Sequence, residues 1–215
     1  MYKTVVFDLD GTLLNTLTDL ADAGNRLCRK YGWPTHERQA YRYFVGNGIP
    51  KLIERMLPAG HDKATEERAF AMFNEYYSRH KCDHTKPYPG MPELIRDIKA
   101  QGVVCGANSN KADEFTRELI RLNYGDEFDQ VIGFGAGFQP KPDPGAALEI
   151  IRRTGVKPEE ALYVGDSDVD IMTGHNAGIS VCAALWGFRG YDELAAQNPT
   201  FFAHDAAELK KIILG

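Results

Sequence analysis

The sequence predicts an α/β fold, in which helices cover both faces of a parallel sheet and a helical segment is inserted after the first strand. Two observations predict this fold class. Short apolar runs of strand length alternate with helical stretches along most of the 215-residue chain, as they do in parallel sheets. Between about Asn15 and Lys86 the alternation stops, and only the three-and-four spacing of amphipathic helices remains.

Six apolar runs are long enough to be strands, and the last of them is the weakest. They cover residues 4–7, 103–107, 130–134, 161–164, 180–184 and 201–203. The helices predicted between and after them cover residues 92–100, 115–122, 144–154, 168–177 and 205–214. Strands and helices that alternate in this way form a parallel sheet with helices on both faces.

The segment that breaks the alternation carries three apolar helical faces, which we expect to pack in a core. They cover residues 17–31, 49–57 and 70–80. Turn-forming residues at 86–90 then return the chain to the strand and helix pattern. This organisation divides the chain into a core of residues 1–14 and 87–215 and a helical insertion of residues 15–86.

Composition and charge argue against several classes of protein. The chain carries 25 Lys and Arg against 30 Asp and Glu, a net charge of −5, and this mild acidity argues against nucleic-acid binding. No apolar run reaches the length of a membrane span, and residues 1–8 lack the pattern of a signal peptide. We therefore expect a cytoplasmic monomer or homodimer without nucleic-acid or membrane partners.

Polar residues stand next to several predicted strands, at the sheet edge where ligands bind. Residues 8–12 (Asp-Leu-Asp-Gly-Thr) follow the first strand, and residues 108–111 (Asn-Ser-Asn-Lys) follow the second. Lys141 precedes the fourth strand, which is followed by residues 165–170 (Gly-Asp-Ser-Asp-Val-Asp). These four segments would bring carboxylates, an ammonium group and a hydroxyl group to one edge of the sheet.

Such a group of carboxylates requires a cation, because like charges at close range raise one another's pKa. Oxygen ligands together with a substrate phosphate favour Mg²⁺. A metal ion and Lys141 around a small hydroxylated pocket would bind a phosphoryl group, whose transfer depends mainly on charge stabilisation. Asp8 is then the predicted nucleophile, giving an aspartyl-phosphate, and Asp10 the predicted general acid and later general base.

Each segment has a simpler interpretation when it is taken alone. An Asp-x-Asp-Gly string is common in turns and in calcium loops, although the acidic pattern of a calcium loop does not follow it here. Residues 165–167 would cap a helix, Lys141 would be a loop residue, and Ser109 would be another cap. Their joint occurrence at successive strand ends favours a single site.

Together the segments resemble the four motifs of the haloacid dehalogenase-like hydrolase superfamily, in the same order and across the whole chain. The resemblance rests on residues 8–12, Ser109-Asn110, Lys141-Pro142 and Gly165-Asp166-Ser167-x-x-Asp170. It implies a Rossmann-like core with an α-helical cap between the first and second motifs, where the helical insertion lies.

The same resemblance implies roles for individual residues. Mg²⁺ would be held by Asp8, the backbone carbonyl of Asp10, Asp166 and, directly or through another ligand, Asp170. The catalytic residues would be Asp8, Asp10, Ser109 and Lys141, the last two binding phosphoryl oxygens. Thr12 and Asn110 would contribute to substrate binding.

Asp10 and three short stretches narrow the implied reaction. An acid at position 10 favours hydrolysis of phosphate esters, since the dehalogenases and phosphonatases of the superfamily lack it. Residues 44–48, 88–90 and 186–189 are similar to the corresponding stretches of phosphoglycolate phosphatases. The resemblance therefore implies hydrolysis of a small phosphate monoester, with 2-phosphoglycolate as the first candidate.

Substrate contacts from the inserted segment are predicted at the loop of Gly46, Asn47 and Gly48. Its glycines permit close approach of the backbone to a ligand. Three cations of the insertion either bind a substrate carboxylate or form an exposed cationic helix face, namely Arg42, Lys51 and Arg55.

Three other functions are compatible with the same residues. A sugar-phosphate mutase would pass the phosphoryl group from Asp8 to a sugar hydroxyl, and a pyrophosphatase would cleave an anhydride. A non-catalytic phosphate-binding protein is a more remote alternative, and the intact acidic residues argue against it.

Overall fold

Eight strands and ten α-helices are present in the structure, a computed structural model that describes residues 1–215. The strands are β1 (Thr4–Phe7), β2 (Leu14–Asn15), β3 (Lys86–Pro87), β4 (Val104–Ala112), β5 (Gln130–Phe134), β6 (Ala161–Gly165), β7 (Ser180–Ala184) and β8 (Phe201–Ala203). The helices are α1 (Leu17–Tyr31), α2 (Tyr41–Phe44), α3 (Ile49–Met56), α4 (Lys63–His80), α5 (Met91–Ala100), α6 (Asp113–Tyr124), α7 (Gly145–Thr154), α8 (Asp168–Asn176), α9 (Tyr191–Ala195) and α10 (Ala206–Leu214). None of them combines the length and apolar character that a membrane-crossing helix needs.

Six of the strands form one parallel sheet in the order β5-β4-β1-β6-β7-β8. The central strand β1 pairs with β4 and β6, so that Val5 lies opposite Cys105 and Leu162. One face of the sheet packs against α5, α6 and α10, and the other face packs against α7, α8 and α9. The predicted α/β fold class is confirmed.

Strand β4 continues beyond the apolar run that predicted it. Apolar character ends at Ala107, but the strand includes the polar residues 108–111, which are all buried. Its pairing with β5 shifts register between Asn108 and Ala112. The sequence prediction stopped early because it equated a buried strand with apolar side chains, whereas these residues are buried around polar partners.

Helices α1 to α4 make up the inserted segment and share an apolar core of their own. That core includes Leu20, Leu52 and Phe73, and Phe188 joins it from the loop after β7. Two features were not predicted: the short helix α2, and the antiparallel pair of β2 and β3 where the segment leaves and rejoins the sheet domain. Elements of two to four residues carry no readable periodicity, which explains why the sequence did not reveal them.

A buried carboxylate joins the two connections of the inserted segment. Asp19, in the first turn of α1, accepts hydrogen bonds from the backbone N–H groups of His84 and Thr85 at 2.9 Å each. It also accepts one from the Thr85 hydroxyl at 2.7 Å, and it is only 2% exposed. These charge-assisted bonds hold the start of α1 to the chain that enters β3.

Candidate active site

Three carboxylates meet at the carboxyl end of the sheet. Asp8 follows β1, Asp166 follows β6, and Asp170 lies in the first turn of α8. One oxygen atom from each carboxylate lies within 4.8 Å of the others, and the three residues are at most 6% exposed. They meet because β1 and β6 are neighbours in the sheet.

The ammonium group of Lys141 lies between two of these carboxylates. Its Nζ atom is 2.6 Å from Oδ1 of Asp8 and 2.6 Å from Oδ1 of Asp170. Asn110 holds the Lys141 backbone: Oδ1 of Asn110 accepts a hydrogen bond from the Lys141 N–H at 2.8 Å, and its Nδ2 donates to the Lys141 carbonyl oxygen at 3.2 Å. Four residues distant in sequence therefore form one hydrogen-bonded unit.

Burial and mutual repulsion shift the pKa values in this group. Burial, followed by the charge of Asp170, raises the pKa of Asp8 well above its usual value and the pKa of Asp166 to about 7. Burial also acts to lower the pKa of Lys141, but Asp170 and Asp8 outweigh it and raise that pKa well above its usual value. Lys141 is therefore a fixed positive charge, and it cannot by itself offset three ionised acids.

Hydrogen bonds fix the orientation of the two acids that follow β6. Oδ1 of Asp166 accepts from the Thr12 hydroxyl at 3.1 Å, and Oδ2 accepts from the Phe188 N–H at 2.6 Å. Oδ2 of Asp170 accepts from the hydroxyl and the N–H of Ser167, at 2.6 and 3.1 Å, in a capping box that begins α8. Both carboxylates are therefore held in place by the fold itself.

Three glycines allow the backbone to approach these acids closely. A Cβ atom on Gly11 or Gly187 would lie 2.2 Å from an atom of Asp166, and one on Gly165 would lie 2.2 Å from an atom of Asp170. Gly11 also has a φ of +96°, which side chains rarely permit. The acids are thus enclosed by backbone that only glycine can supply without displacing them.

The donor set of the site fits a hard divalent cation. The three grouped side chains of Asp8, Asp166 and Asp170 offer carboxylate oxygens, which Mg²⁺ prefers over nitrogen or sulfur. A divalent ion would offset the negative charge that Lys141 leaves uncompensated. The carboxylate of Asp10 lies outside this group, which leaves its backbone carbonyl as the atom it could offer to a metal.

The carboxylate of Asp10 is held by two donors. Oδ1 accepts a hydrogen bond from the Thr16 hydroxyl at 2.6 Å, and Oδ2 lies 3.1 Å from Nζ of Lys111. Lys111 also donates to the hydroxyl oxygen of Tyr77 at 3.0 Å. Asp10 is therefore bound to groups different from those that hold the three grouped acids.

A cavity lies between the carboxylate group and the inserted helices. Its polar lining consists of Asp8, Asp10, Gly46, Gly48, Ser109, Asn110, Lys111, Lys141, Asp166, Ser167 and Arg189. Its apolar lining consists of Leu20, Val45, Ile49, Leu52 and Phe188. Such a mixture of charged groups and apolar wall suits a small charged ligand.

Two residues predicted to bind substrate, Thr12 and Asn47, do not line this cavity. The Thr12 hydroxyl donates to Asp166, and Oδ1 of Asn47 accepts a hydrogen bond from Nη2 of Arg55 at 2.8 Å. Thr12 therefore orients an acid of the cavity wall, whereas Asn47 binds a side chain that does not line the cavity.

The three candidate cations of the insertion also lie away from the cavity wall. Lys51 is exposed and pairs with Glu54 at 2.5 Å. Arg55 donates to backbone carbonyls within the insertion, and Arg42 donates to carbonyls of the loop after β7. None of the three therefore reaches a ligand in this arrangement.

Two cations to which the sequence gave no role, Lys111 and Arg189, line the cavity and are 3% and 6% exposed. Lys111 stands in the polar string after the second predicted strand, and Arg189 ends the stretch at 186–189 that resembles phosphoglycolate phosphatases. Both residues therefore stand in stretches that the sequence had already marked. Their burial could not be predicted, because it depends on tertiary neighbours that a single sequence does not show.

Arg42 and Arg189 form a reciprocal clasp between the inserted segment and the sheet domain. Arg42 donates from Nε to the Phe188 carbonyl at 2.6 Å and from Nη2 to the Gly187 carbonyl at 2.8 Å. Arg189 donates in return to the carbonyl of Arg42, and to that of Val45 at 3.1 Å. Each cation binds the backbone of the opposite segment, so the clasp holds α2 against the loop after β7.

Loss of this clasp is expected to loosen the cavity wall. In Arg42→Met, backbone amides of residues 41–48 and 186–190 should exchange with deuterium at least roughly tenfold faster than in the parent, because two charge-assisted hydrogen bonds are lost. Arg55→Met is the control for residues 186–190, whose exchange it should leave unchanged, because the partners of Arg55 all lie within the insertion. Unchanged exchange in Arg42→Met would show that the clasp does not hold the two segments together.

The chain matches the family model described as haloacid dehalogenase-like hydrolase over residues 5–184. This match covers far more than half of the 215 residues, and the chain belongs to that family of hydrolases.

Relatives and a solved structure show which members of this family the chain is similar to. It is 33% identical to the phosphoglycolate phosphatase of Pseudomonas putida strain KT2440 over 213 residues, covering 96% of this chain and 78% of that protein. It is 32% identical to the phosphoglycolate phosphatase of Aquifex aeolicus, covering 98% and 96% of the two chains. A crystal structure from Lactobacillus delbrueckii subsp. bulgaricus, described provisionally as a phosphoglycolate phosphatase, superposes with a TM-score of 0.94 at 28% identity and covers 100% and 99%. Within its family, the chain is a phosphoglycolate phosphatase-like enzyme.

Proposed function

We propose that the protein is a Mg²⁺-dependent phosphatase that hydrolyses a small phosphate monoester, with 2-phosphoglycolate as the first candidate substrate. The proposal rests on the 2.6 Å contact between Asp8 and Lys141 inside a group of three buried acids. That arrangement provides a carboxylate nucleophile, a fixed positive charge and a metal-binding donor set in one place. The relatives named phosphoglycolate phosphatase support the choice of substrate.

In this proposal the metal is held by Asp8, Asp166, Asp170 and the backbone carbonyl of Asp10. When bound, Mg²⁺ supplies the positive charge that offsets these acids and stabilises a phosphoryl group. Lys141 supplies the rest of the positive charge. It is an ammonium ion at neutral pH, because Asp170 and Asp8 outweigh the opposing effect of burial and raise its pKa.

The side chains of the protein account for two successive transfers. An oxygen of Asp8 attacks phosphorus and forms an aspartyl-phosphate while the bond from phosphorus to the leaving oxygen breaks. Asp10 gives its proton to the leaving oxygen and then takes a proton from the water that attacks the phosphorus. This second step breaks the bond to Asp8 and releases inorganic phosphate. Lys141 and Ser109 bind the phosphoryl oxygens throughout, and Asn110 holds the backbone of Lys141 in place.

Residues 15–86 act in this proposal as a cap over a catalytic core of residues 1–14 and 87–215. Gly46 and Gly48 bring cap backbone to the cavity wall, with φ values of +117° and +85° that favour glycine. The cavity lining, which combines charged groups with a few apolar side chains, suits a small charged substrate. Admission of substrate requires the cap to open, and motion of this kind commonly accompanies catalysis.

Product analysis with Mg²⁺ and 2-phosphoglycolate, hexose phosphates or pyrophosphate tests the proposal. We expect inorganic phosphate and glycolate in equal amounts from 2-phosphoglycolate. A sugar bisphosphate formed without free phosphate would identify a mutase, and preferential cleavage of pyrophosphate would identify a pyrophosphatase. An inactive protein would indicate the non-catalytic phosphate-binding alternative.

Mg²⁺ is expected to raise the unfolding temperature more at about pH 8 than at about pH 5. Burial, followed by Asp170, raises the pKa of Asp166 from 3.8 to about 7, so ionising this acid costs folding stability in the metal-free protein. The cost is absent below the unfolded pKa, grows between the two values and is complete above about 7. A metal that offsets the charge removes the cost. Thermal unfolding with and without Mg²⁺ measures the difference.

Asp166→Asn serves as the control for this pH dependence, because the amide has no charge to bury. Its response to Mg²⁺ should differ less between the two pH values than that of the parent protein. An equal Mg²⁺ response of the parent protein at both pH values would contradict the expectation.

A further inference from the structure

A buried chain of polar contacts links Asp10 to α4 of the inserted segment. Nζ of Lys111 lies 3.1 Å from Oδ2 of Asp10 and donates a hydrogen bond to the hydroxyl oxygen of Tyr77 at 3.0 Å. Lys111 is 3% exposed and Tyr77 is fully buried. The proposed reaction uses Asp10 for proton transfer but gives no part to Lys111 or Tyr77.

Two donors hold the carboxylate of Asp10, one at each oxygen. Oδ1 accepts from the Thr16 hydroxyl at 2.6 Å, so the contact with Lys111 determines where the second oxygen lies. A carboxylate held at both oxygens cannot rotate without breaking a contact. Proton transfer needs the donor and acceptor atoms within about 2.6–3.2 Å, so this orientation decides whether Asp10 reaches the leaving oxygen.

The packing of Tyr77 in turn places the ammonium group of Lys111. The Tyr77 ring stacks on Phe73 with a centroid distance of 5.5 Å and meets Phe115 edge-on at 5.9 Å. Burial acts to lower the pKa of Lys111, but Asp10 and Tyr77 outweigh it and raise that pKa, so the group remains an ammonium ion. The position of α4 therefore determines where the Lys111 ammonium group lies and, through it, where the Asp10 carboxylate lies.

We propose that Lys111 is a positioning residue for Asp10, and that Tyr77 ties this positioning to the placement of α4. The inference rests on the proposed function, since it assumes that Asp10 gives a proton to the leaving group. Lys111 fixes the orientation of that carboxylate and does not itself exchange a proton with the substrate.

The choice of leaving group separates positioning of Asp10 from general structural damage. p-Nitrophenolate leaves without a proton whereas an alkoxide requires one, so a misplaced general acid slows alkyl esters selectively. The ratio kcat/KM reports the steps up to release of the leaving group, so the later role of Asp10 as a base does not enter it. The test compares kcat/KM for p-nitrophenyl phosphate, 2-phosphoglycolate and ethyl phosphate, whose alkyl group carries no charge.

Lys111→Met removes the ammonium group and keeps an unbranched side chain. We expect kcat/KM to fall about tenfold or more for both alkyl esters, and less than about twofold for p-nitrophenyl phosphate. Asp10→Asn should lower kcat/KM further, again more for the alkyl esters than for p-nitrophenyl phosphate. Adding Lys111→Met to Asp10→Asn should cause no further loss, because the two residues act in one step.

Two results would overturn the inference while leaving the proposed function in place. Equal losses for all three esters would make Lys111 a structural residue, and a loss confined to 2-phosphoglycolate would make it a contact of the substrate carboxylate. Failure of the proposed function itself would appear differently, as a parent protein that hydrolyses none of the three esters.

Lys81→Met is the matched control. Lys81 is also buried at the end of α4, where it donates to the Ser78 carbonyl at 2.6 Å and pairs with Glu118 at 2.9 Å, and it does not line the cavity. Its three kcat/KM values should stay in the parental ratio.

If Lys111→Met does not fold, as judged by circular dichroism, Tyr77→Phe takes its place in the test. Tyr77→Phe should lower kcat/KM less than Lys111→Met would, again more for the alkyl esters, and an unselective or absent effect would overturn the inference.

Discussion

Asp8→Asn is expected to abolish hydrolysis of phosphate esters, with kcat falling roughly 10⁴-fold or more, while the protein remains folded. An amide is a poor nucleophile toward phosphorus and gives the metal no charge. Burial, followed by Asp170, raises the pKa of Asp8, so its ionised form costs folding stability at neutral pH, above the ordinary carboxyl pKa. The metal-free variant should therefore unfold at the parental temperature or higher. Steady-state kinetics and thermal unfolding check both parts.

Asp168→Asn provides the comparison for this loss. Asp168 lies in the first turn of α8, two residues from Asp170, but it neither lines the cavity nor belongs to the grouped acids. Its replacement should leave kcat unchanged, since its charge acts only at the helix N-terminus. Similar losses in the two variants, or an active Asp8→Asn protein, would remove Asp8 from the position of nucleophile.

Lys141→Met is expected to lose activity by roughly 10²- to 10³-fold and folding stability by about 3–5 kcal/mol. The variant leaves Asp8 and Asp170 buried without the cation that contacts both of them. Asp170 and Asp8 outweigh the opposing effect of burial and raise the pKa of Lys141. The ammonium group therefore contributes fully to folding stability below the unfolded pKa near 10.5, and this contribution is lost only as pH rises further. The loss should therefore be fully visible at neutral pH in urea unfolding without metal.

Saturating Mg²⁺ should restore part of the stability of Lys141→Met but not its activity, because the metal offsets the acids without replacing the ammonium group at the phosphoryl oxygens. Lys51→Met is the surface control, since it breaks only an exposed pair with Glu54 and should leave the stability at the parental value. A metal-free Lys141→Met protein as stable as the parent would contradict the importance assigned to this ion pair.

Much of the fold was readable from the sequence because periodicity and strand length report burial directly. The apolar runs at 4–7, 130–134 and 180–184 became strands with the predicted bounds. Ligands bind at the carboxyl ends of parallel strands, and this rule predicted that Asp8 and Asp166 lie close together. In the structure their carboxylates belong to the same group. The extension of β4 was missed because its polar residues violate the apolar rule that predicts strands.

The sequence indicated which residues meet at the site only where their placement follows from the end of a strand. Lys111 and Arg189 were missed as lining residues because their burial depends on contacts distant in sequence. Lys111 contacts Tyr77 of α4, and Arg189 contacts backbone carbonyls of the inserted segment. The sequence left two roles open for the cations of the inserted segment, a substrate contact or an exposed cationic face, whereas Arg42 donates to backbone carbonyls of the loop after β7. Charge is visible in a sequence, but the partner of a charge is decided by tertiary packing.

The most direct test of the central claim is to identify the phosphorylated residue in Asp10→Asn supplied with Mg²⁺ and p-nitrophenyl phosphate. This ester needs no proton on its leaving group, whereas the water step lacks its base, so the covalent intermediate should accumulate. After acid quench and proteolysis, mass spectrometry should find one phosphoryl group on Asp8. Continued turnover with the phosphoryl group on another side chain, or with none on the protein, would contradict hydrolysis through an aspartyl-phosphate at Asp8.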